Sequence, residues 1–306
     1  ILATTKQGST SKPDIAVKSY YGLSDFAHIP RYLDAKKYIQ VRKDAEAADG
    51  GSYPFQPLEV ANMDSGRTLN PWEAIEQRAP VLNNYLSVSG KRNEITYYLS
   101  GSYSEIKSPR MGDNFNRLTT RINVEIAATP WLKLGINDGY SSKEKKGIPA
   151  NLTDASYLSP YADLYYDDGV PRPLPMNVGP VKNPLTETLL DKKSDITKTL
   201  FTNTYANIEL PLTGLSYRLS VGFSQENVRI FEYTPSFDRD EFFNLGSGSK
   251  SYANSKNLSI ENLVKYHRSF HQDHELDVTL LYGIYTNQDE SSSLSSNNIF
   301  NDALRS

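Results

Sequence analysis

Residues 115–139 read FNRLTTRINVEIAATPWLKLGINDG, and the first half of this stretch alternates between two kinds of side chain. Apolar residues fill most even positions and polar residues most odd positions: Leu118, Ile122, Val124 and Ile126 against Arg117, Arg121 and Glu125. A period of two predicts a strand with one apolar face and one wet face. Thr129 and Pro130 end the run, because proline lacks the N–H that a sheet ladder needs, and apolar residues resume at Trp131. The stretch therefore predicts two long strands joined by a tight turn.

The composition of the chain excludes several classes of protein. Its 306 residues, enough for one large domain or two, carry a net charge of −3 and no cysteine. A chain without a basic excess is poorly suited to nucleic acid, and one without cysteine has no disulfide and no cysteine-based metal or redox site. The chain also lacks the run of about 18 apolar residues that a transmembrane helix requires. A membrane β-barrel remains open, since its strands are half polar.

The alternating pattern of the opening stretch recurs along the chain. Together with that stretch it predicts nine strands, at about 14–23, 82–90, 94–104, 115–128, 131–141, 198–210, 215–225, 256–267 and 271–285. Most of them exceed the ~5–6 residues usual in soluble sheets and match the roughly 9–11 residues of a bilayer-crossing strand. Two helices are predicted between the first two strands, one capped by Asp34 and one starting at Asn70 and Pro71.

The segments between the predicted strands are alternately short and long. In an antiparallel meander, all short turns then fall at one end of the sheet and the long segments 26–81, 142–196 and 227–255 fall at the other. This sorting is typical of an outer-membrane barrel. A soluble β-sandwich with large insertions is the alternative, but it gives no reason for strands of this length or for sorted loops. A β-solenoid would need a fixed repeat period, and the chain has none.

Several short stretches resemble, in order and spacing, the SusC/RagA family of TonB-dependent outer-membrane transporters. ILATTKQG at the start is similar to the end of that family's plug domain, and residues 16–25 and 33–45 are similar to its first barrel strand and first outer-loop helix. Residues 83–105 and 115–137 resemble its next two hairpins, and YADLYYDDGVP resembles part of an outer loop. The likeness covers most of residues 1–210 and is looser beyond. Lys91 and Arg92 depart from it, because small residues are usual in that turn.

The resemblance implies an all-β fold: a partial antiparallel up-and-down transmembrane β-barrel with long extracellular loops that carry short helices. On this interpretation the chain is a fragment of a plugged barrel of ~22 strands. Residues 1–12 would be the end of the plug domain and a linker, and residues 13–306 the incomplete N-terminal part of the barrel. The expected location is the outer membrane of a Gram-negative type of cell.

The resemblance also implies a function, which is TonB-driven import of oligosaccharides, glycans or peptides. The expected partners are a SusD-like surface lipoprotein, the TonB complex, outer-membrane lipid and the imported oligomer, with no nucleic acid and no cofactor. A surface adhesin or structural β-protein, or a sandwich binding module, is the alternative. The sequence that precedes Ile1 distinguishes them, because a plug domain indicates transport.

Two groups of side chains are candidates for function in such a transporter. The first would contact substrate or lipoprotein from a long loop: Tyr157, Tyr161, Tyr165 and Tyr166. Packing of these loop aromatics on one another is the alternative. The second would line the lumen: Arg117, Arg121, Glu125 and Arg218. Mutual ion pairing across neighbouring strands is the alternative for these.

No arrangement of residues in the sequence predicts catalysis, so the chain is not expected to be an enzyme. His267, His271 and His274 are close in sequence, but His271 and His274 have opposite parity on a strand, so a polar turn rather than a metal site is predicted. Asp167 and Asp168 precede a glycine without the further alternating carboxylates of a calcium loop. They predict an Asp-Asp-Gly turn.

Overall fold

The computed structural model describes residues 11–29, 31–52, 54–176, 179–239, 242–270 and 274–299, and most of them form a single nine-stranded antiparallel sheet. Its strands are β1 (Asp14–Ser24), β2 (Ala79–Arg92), β3 (Ile95–Lys107), β4 (Asn114–Thr129), β5 (Leu132–Lys146), β6 (Lys192–Glu209), β7 (Leu215–Thr234), β10 (Gly246–Phe270) and β11 (His274–Ile299). A two-stranded ribbon, β8 (Phe237–Arg239) and β9 (Phe242–Asn244), lies between β7 and β10 in the chain. Each strand of the large sheet pairs with its neighbours in sequence, so the predicted all-β up-and-down fold is confirmed.

The hairpin predicted from residues 115–139 is formed by β4 and β5. Ile126 pairs with Leu134 and Val124 with Ile136, which keeps apolar side chains on one face of both strands. A bulge between Ala127 and Thr129 precedes the turn. Pro130 stands in the connection, where its missing N–H costs no ladder bond.

The sheet has two unlike faces, named here the apolar face, which carries Leu118, Ile122 and Ile126, and the polar face, which carries Arg117, Arg121 and Glu125. The three apolar side chains remain 39–43% exposed. Within the described ranges, the only other sheet is the small β8–β9 ribbon. No second sheet therefore packs on these residues in that part of the chain, and the sandwich alternative loses the layer that it requires.

The apolar face carries a belt of exposed apolar side chains that shifts along the strands from one edge of the sheet to the other. The belt occupies residues 15–23 in β1 and 276–284 in β11. The cross-strand registers place the middle of the first run level with Leu118, and the middle of the last run level with Thr129, eleven residues further along β4. Spread over eight strand-to-strand steps, this drift makes the strands cross the belt at roughly 40–45°. Strands of membrane barrels have a similar tilt, about 35–45°.

The segments at one end of the sheet pack into what is called here the loop layer: residues 25–78, 108–113, 147–191 and 235–245. Its helices are α1 (Ala35–Asp49), α2 (Pro57–Ser65), α3 (Leu152–Tyr157), α4 (Thr186–Leu190) and a 3-10 helix (Glu73–Ile75). None of the described helices is long and apolar enough to cross a membrane. Asp34 caps α1 as predicted, since its Oδ1 accepts a hydrogen bond from the Lys37 N–H at 2.9 Å. Asn70 accepts from the Trp72 N–H, but only the 3-10 turn follows.

The hydrophobic core of the described residues lies in the loop layer and not on the sheet. Ile75 and Leu185 are fully buried there, and Trp72 packs with them at the centre of a cluster drawn from several loops. The ring of Phe26 lies 5.1 Å from that of Trp72, centroid to centroid. The loops are therefore a packed layer with its own apolar interior, which stabilises their arrangement.

The prediction of a long loop at 227–255 is wrong. β7 continues to Thr234 and β10 begins at Gly246, so the connection shrinks to residues 235–245. Polar cross-strand bonds hold this extension: Gln225 donates to Asn254 at 2.8 Å, and the Tyr252 hydroxyl donates to Asn227 at 2.8 Å. Because both faces of this extension carry polar residues, its sequence lacks the apolar–polar alternation that predicts a strand. For the same reason the segment predicted at 142–196 is shorter, 147–191.

Two further elements differ from their predictions. α2 was not predicted, because the loop-like run that contains Gly51 and Pro54 precedes it; its start is fixed by a capping box between Gln56 and Glu59. β11 was expected to end near Tyr285, but it continues through a serine-rich stretch to Ile299. His271 lies outside the described residues, as do residues 1–10, most of the predicted end of the plug.

Candidate functional site

The loop layer contains a cavity of about 260 Å³ between its 147–191 and 235–245 segments. Three acidic side chains, Asp154, Glu187 and Asp191, and one basic side chain, Lys182, stand among its lining residues. Burial raises the pKa of Asp191, although its Oδ2 accepts a hydrogen bond from the Thr234 hydroxyl at 2.8 Å. The cavity therefore offers mixed polar contacts but no arrangement of catalytic groups.

The four candidate tyrosines divide into two pairs. Tyr161 and Tyr166 are buried in the loop layer, while Tyr157 is 69% and Tyr165 42% exposed. Only the second pair has ring surface free for a ligand or a partner. The role of each in contacting substrate or lipoprotein stays a prediction.

Tyr166 joins two loops through cationic side chains. The Arg172 guanidinium lies 4.3 Å and the Arg239 guanidinium 3.9 Å from the centre of its ring. Arg239 also binds Asp168, with Nη1 at 2.8 Å from Oδ2, and this hydrogen bond holds the pKa of Asp168 below its usual range. The 161–172 and 235–245 segments are thus connected at the surface of the loop layer.

The Asp-Asp-Gly sequence forms the predicted turn. Gly169 has φ of 80°, which favours glycine. The Tyr166 N–H donates to the Val170 carbonyl at 2.8 Å, and Asp168 Oδ1 accepts from the Val170 N–H at 3.2 Å. Within the described ranges no group of three His, Asp or Glu side chains is placed to hold a metal ion. His267 pairs with Asp277, at 2.7 Å from Nδ1 to Oδ1.

The loop-layer segments 25–78 and 147–191 are fastened to each other. Asn62, buried on α2, donates its side-chain N–H to the Tyr161 carbonyl at 2.8 Å, and the Leu69 N–H donates to the Pro160 carbonyl at 2.8 Å. Arg67 Nη2 lies 3.4 Å from Asp163 Oδ2. These contacts hold the loop that carries Tyr157 and Tyr165 against the helices of the first loop.

The four charged side chains predicted to line a lumen lie on one face of the sheet, and Tyr205 connects two of them. The Tyr205 hydroxyl donates to Glu125 Oε2 at 2.7 Å, and the Arg218 guanidinium lies 4.2 Å from the centre of the tyrosine ring. Arg117 instead donates from Nε to the Thr119 hydroxyl at 3.2 Å. The four residues form no ion pair with one another, so the mutual pairing considered from the sequence is not what holds them.

Tyr205 was not among the residues predicted from the sequence, although the glycine at position 135, inside a predicted strand, was a signal for a close contact. Gly135 pairs with Tyr205, and a Cβ on that glycine would lie 2.2 Å from the tyrosine ring. An isolated glycine inside a strand often marks such a close approach. The ring crosses the bare backbone of β5 and reaches Glu125 on β4.

Comparisons with known proteins agree with the resemblance seen in the sequence. No family model matches the chain. TonB-dependent receptor P3 of Formosa agariphila is 27% identical over 285 residues, 88% of this chain and 27% of the relative. TonB-dependent receptor P26 of the same organism is 22% identical over 295 residues, 90% of this chain and 28% of the relative. The chain thus spans little more than a quarter of these relatives.

Solved structures have the same fold. The RagAB peptide transporter is similar with a TM-score of 0.78 and 19% identity, over 98% of this chain and 38% of that one. The open-open state of the RagAB peptide importer gives 0.79 and 20%, over 98% and 37%. The resemblance indicated by the sequence is confirmed: the chain is related to TonB-dependent receptors and has the fold of the corresponding part of a SusC/RagA-type barrel.

Proposed function

We propose that the chain is the first part of the wall of a TonB-dependent outer-membrane transporter that imports nutrient oligomers. The observation that carries the proposal is the exposed apolar belt, which crosses the strands at the angle typical of a membrane barrel. On this proposal the apolar face meets lipid and the polar face lines the lumen. Residues 1–12 end a plug domain and residues 13–306 form the wall, with the loop layer outside the cell.

In the first candidate function, the imported oligomer is an oligosaccharide. A SusD-like lipoprotein covers the loop layer and delivers the oligosaccharide to the transporter. The exposed rings of Tyr157 and Tyr165 support it, because aromatic faces on a packed surface suit a sugar ring or a partner protein. The likeness to the RagAB peptide transporter favours peptides as the second candidate. The cavity beside Asp154 and Glu187 is compatible with either class.

Growth of the source organism tests this function. Deletion of the gene for the full-length protein should abolish growth on one class of oligomer, either oligosaccharides or peptides, as sole carbon source. Disruption of the TonB system should give the same loss, and a plasmid copy of the gene should restore growth only where TonB is intact.

Unchanged growth on every oligomer after deletion would exclude import. A deletion strain that loses surface attachment but no growth would support the adhesin alternative. Purification of the full-length protein from the outer membrane should bring a surface lipoprotein with it, and a protein isolated alone under mild detergent would count against that partner.

A further inference from the structure

The polar face carries an open pocket of about 250 Å³ on the last four strands of the sheet, where β6, β7, β10 and β11 run side by side. Its floor is Gly222, where a Cβ would lie 2.5 Å from the Ser259 hydroxyl. Amide and hydroxyl groups form its polar lining: Asn203, Ser224, Asn257, Ser259 and Asn287. Asn203 Oδ1 itself is buried and has no hydrogen-bond partner.

Two exposed aromatic rings border the pocket. Phe201 is 48% and Tyr285 64% exposed, although both lie on the polar face of the sheet. The Tyr285 hydroxyl donates to Glu261 at 2.8 Å, which fixes the position of that ring. Flat apolar rings beside amides and hydroxyls match the two kinds of surface of a sugar, its C–H face and its ring of hydroxyls.

A basic strip lies beside Phe201 on the same face. Arg121 pairs with Gly139, and Gly139 pairs with Phe201, so Arg121 and Phe201 stand about 10 Å apart across two strand spacings. The space above Gly139 is open, because a Cβ placed there would meet only one atom within 4 Å, the Thr120 carbonyl oxygen at 3.9 Å. Arg117 and Lys143 continue the strip and are directly paired.

No carboxylate stands at the positions that adjoin the two arginines of this strip. The same-face neighbours of Arg117 and Arg121 on β3, β4 and β5 are serine, threonine, asparagine, glycine, aromatic or aliphatic residues, or further lysines. Like charges directly opposite each other, such as Arg117 and Lys143, disfavour the pairing. An anion placed between them removes that repulsion, and guanidinium groups bind carboxylate and sulfate with two parallel hydrogen bonds.

We infer that the polar face holds a subsite for an acidic oligosaccharide, with one sugar ring on Phe201 and the pocket beside it, and a carboxylate or sulfate of the chain at Arg121. This rests on the proposed import function and narrows its substrate class. A sugar fits better than a peptide, because Phe201 and most of the pocket lie on β6, β7 and β10, and each of these strands is paired on both sides. Their backbone N–H and C=O groups are therefore already used, whereas strand addition of a peptide needs a free edge, which here belongs to β11.

Binding to the purified full-length transporter tests the inference by calorimetry, with tri-galacturonate as the acidic probe and a neutral galactose trimer as its match. The acidic trimer should bind about tenfold more tightly. Arg121→Gln should remove that advantage and leave the neutral affinity unchanged. Phe201→Ser should weaken both trimers by about tenfold, and Phe201→Tyr should restore them. Salt at 0.5 M should reduce the acidic advantage, because screening weakens exposed charge pairs.

Lys133→Gln is the matched control, since Lys133 is an exposed cation of the same face near the short-turn end. It should change neither affinity. Equal affinities of the two trimers, or a loss with Lys133→Gln as large as with Arg121→Gln, would overturn the acidic part. Full affinity of Phe201→Ser would overturn the subsite. A glutamate trimer that binds as tightly as tri-galacturonate, independently of Phe201, would overturn the sugar assignment.

Failure of this inference is distinguishable from failure of the import function. If TonB-dependent growth persists while Arg121→Gln and Phe201→Ser bind the trimers like the wild type, the import function is supported and the subsite is excluded. If no oligomer supports TonB-dependent growth, the import function itself fails.

Discussion

Tyr205 lies across Gly135 and connects charged side chains of β4 and β7 on the polar face. The arrangement needs a residue without a side chain at position 135, because any Cβ there would overlap the ring. It also gives Glu125 a hydrogen-bond donor that is not a cation. A strand glycine, usually a weakness in a sheet, here makes room for a bond that spans three strands.

Gly135→Ala should therefore lower the free energy of unfolding of the full-length barrel by about 1–3 kcal/mol, the usual cost of overpacking. Gly101→Ala is the control, because a Cβ at Gly101 has nothing within 4 Å. Urea unfolding of the two variants in detergent micelles, followed by tyrosine and tryptophan fluorescence, measures the difference. Equal stability of both variants would contradict the close contact.

Asp168 and Arg239 provide a prediction of pH dependence. The hydrogen bond from Arg239 lowers the pKa of Asp168, so its contribution to holding the two loops is present above the ordinary aspartate pKa of ~3.9. That contribution is lost only as the pH falls through the lowered value. Arg239→Gln should bring the Asp168 pKa back towards the ordinary range in a carboxyl-carbon NMR titration.

Arg67→Gln is the control for that titration, because Arg67 pairs with Asp163 instead. It should leave the titration of Asp168 where it is in the wild type. A lowered Asp168 pKa that persists in Arg239→Gln would assign the shift to the turn backbone.

At the scale of elements, α2 is the link between the loop-layer segments 25–78 and 147–191. Its buried Asn62 donates to the Tyr161 carbonyl, and its Glu59, also buried, accepts from the Gln56 N–H at 2.9 Å. Buried polar groups of this kind are costly to leave without a partner. The buried Glu59 thus caps the start of the helix, and the buried Asn62 fastens the helix to the 147–191 segment.

Asn62→Ala should loosen the loop layer without affecting the sheet. The Tyr161 carbonyl would lose its donor, a change of roughly 1–3 kcal/mol, and cleavage by a protease within residues 147–191 should become faster. Asp64→Ala, an exposed change on the same helix, is the control. Limited proteolysis of the full-length protein with mass-spectrometric mapping of the cuts gives the readout. Equal cleavage of the two variants would show that α2 does not anchor the 147–191 segment.

The face of β4 that carries Ile122 gives a test of the membrane assignment. If this face meets lipid, Ile122→Arg should destabilise the folded barrel by about 2–4 kcal/mol in bilayers, as a basic residue near the midplane does. Asn83→Arg, an exposed change on the polar face, should have an effect near zero. Refolding equilibria in lipid vesicles compare the two. A larger cost for Asn83→Arg would reverse the assignment of the faces.

For the molecule as a whole, residues 1–306 produced alone in water should aggregate. In the described part of the chain, β1 and β11 each pair on one side only, so both present unpaired backbone groups. The exposed apolar belt adds a surface that water disfavours. Size-exclusion chromatography with light scattering should find large species or insoluble protein. A monodisperse soluble monomer that melts cooperatively would contradict the barrel-wall interpretation.

Much of the sheet was predictable because its information is local. Alternation around Ile122 and the break at Pro130 identify strands and a turn without any knowledge of distant residues. The prediction was wrong at 227–255, where polar side chains stand on both faces and only cross-strand pairing, such as that of Asn227 with Asn254, shows a strand. The helix α2 was missed because its capping box follows a run of residues typical of loops.

The sequence by itself determined the strand period, the identity of the two faces, the order of short and long connections and the family likeness. Each of these depends on neighbours in the chain. The tertiary structure decided the bond between Tyr205 and Glu125, the core around Trp72 and Ile75, and the pocket beside Phe201. Their residues lie far apart in sequence and meet only when the registers of the strands are set. Side-chain packing fixes those registers, and one residue of slip would move every side chain to the other face.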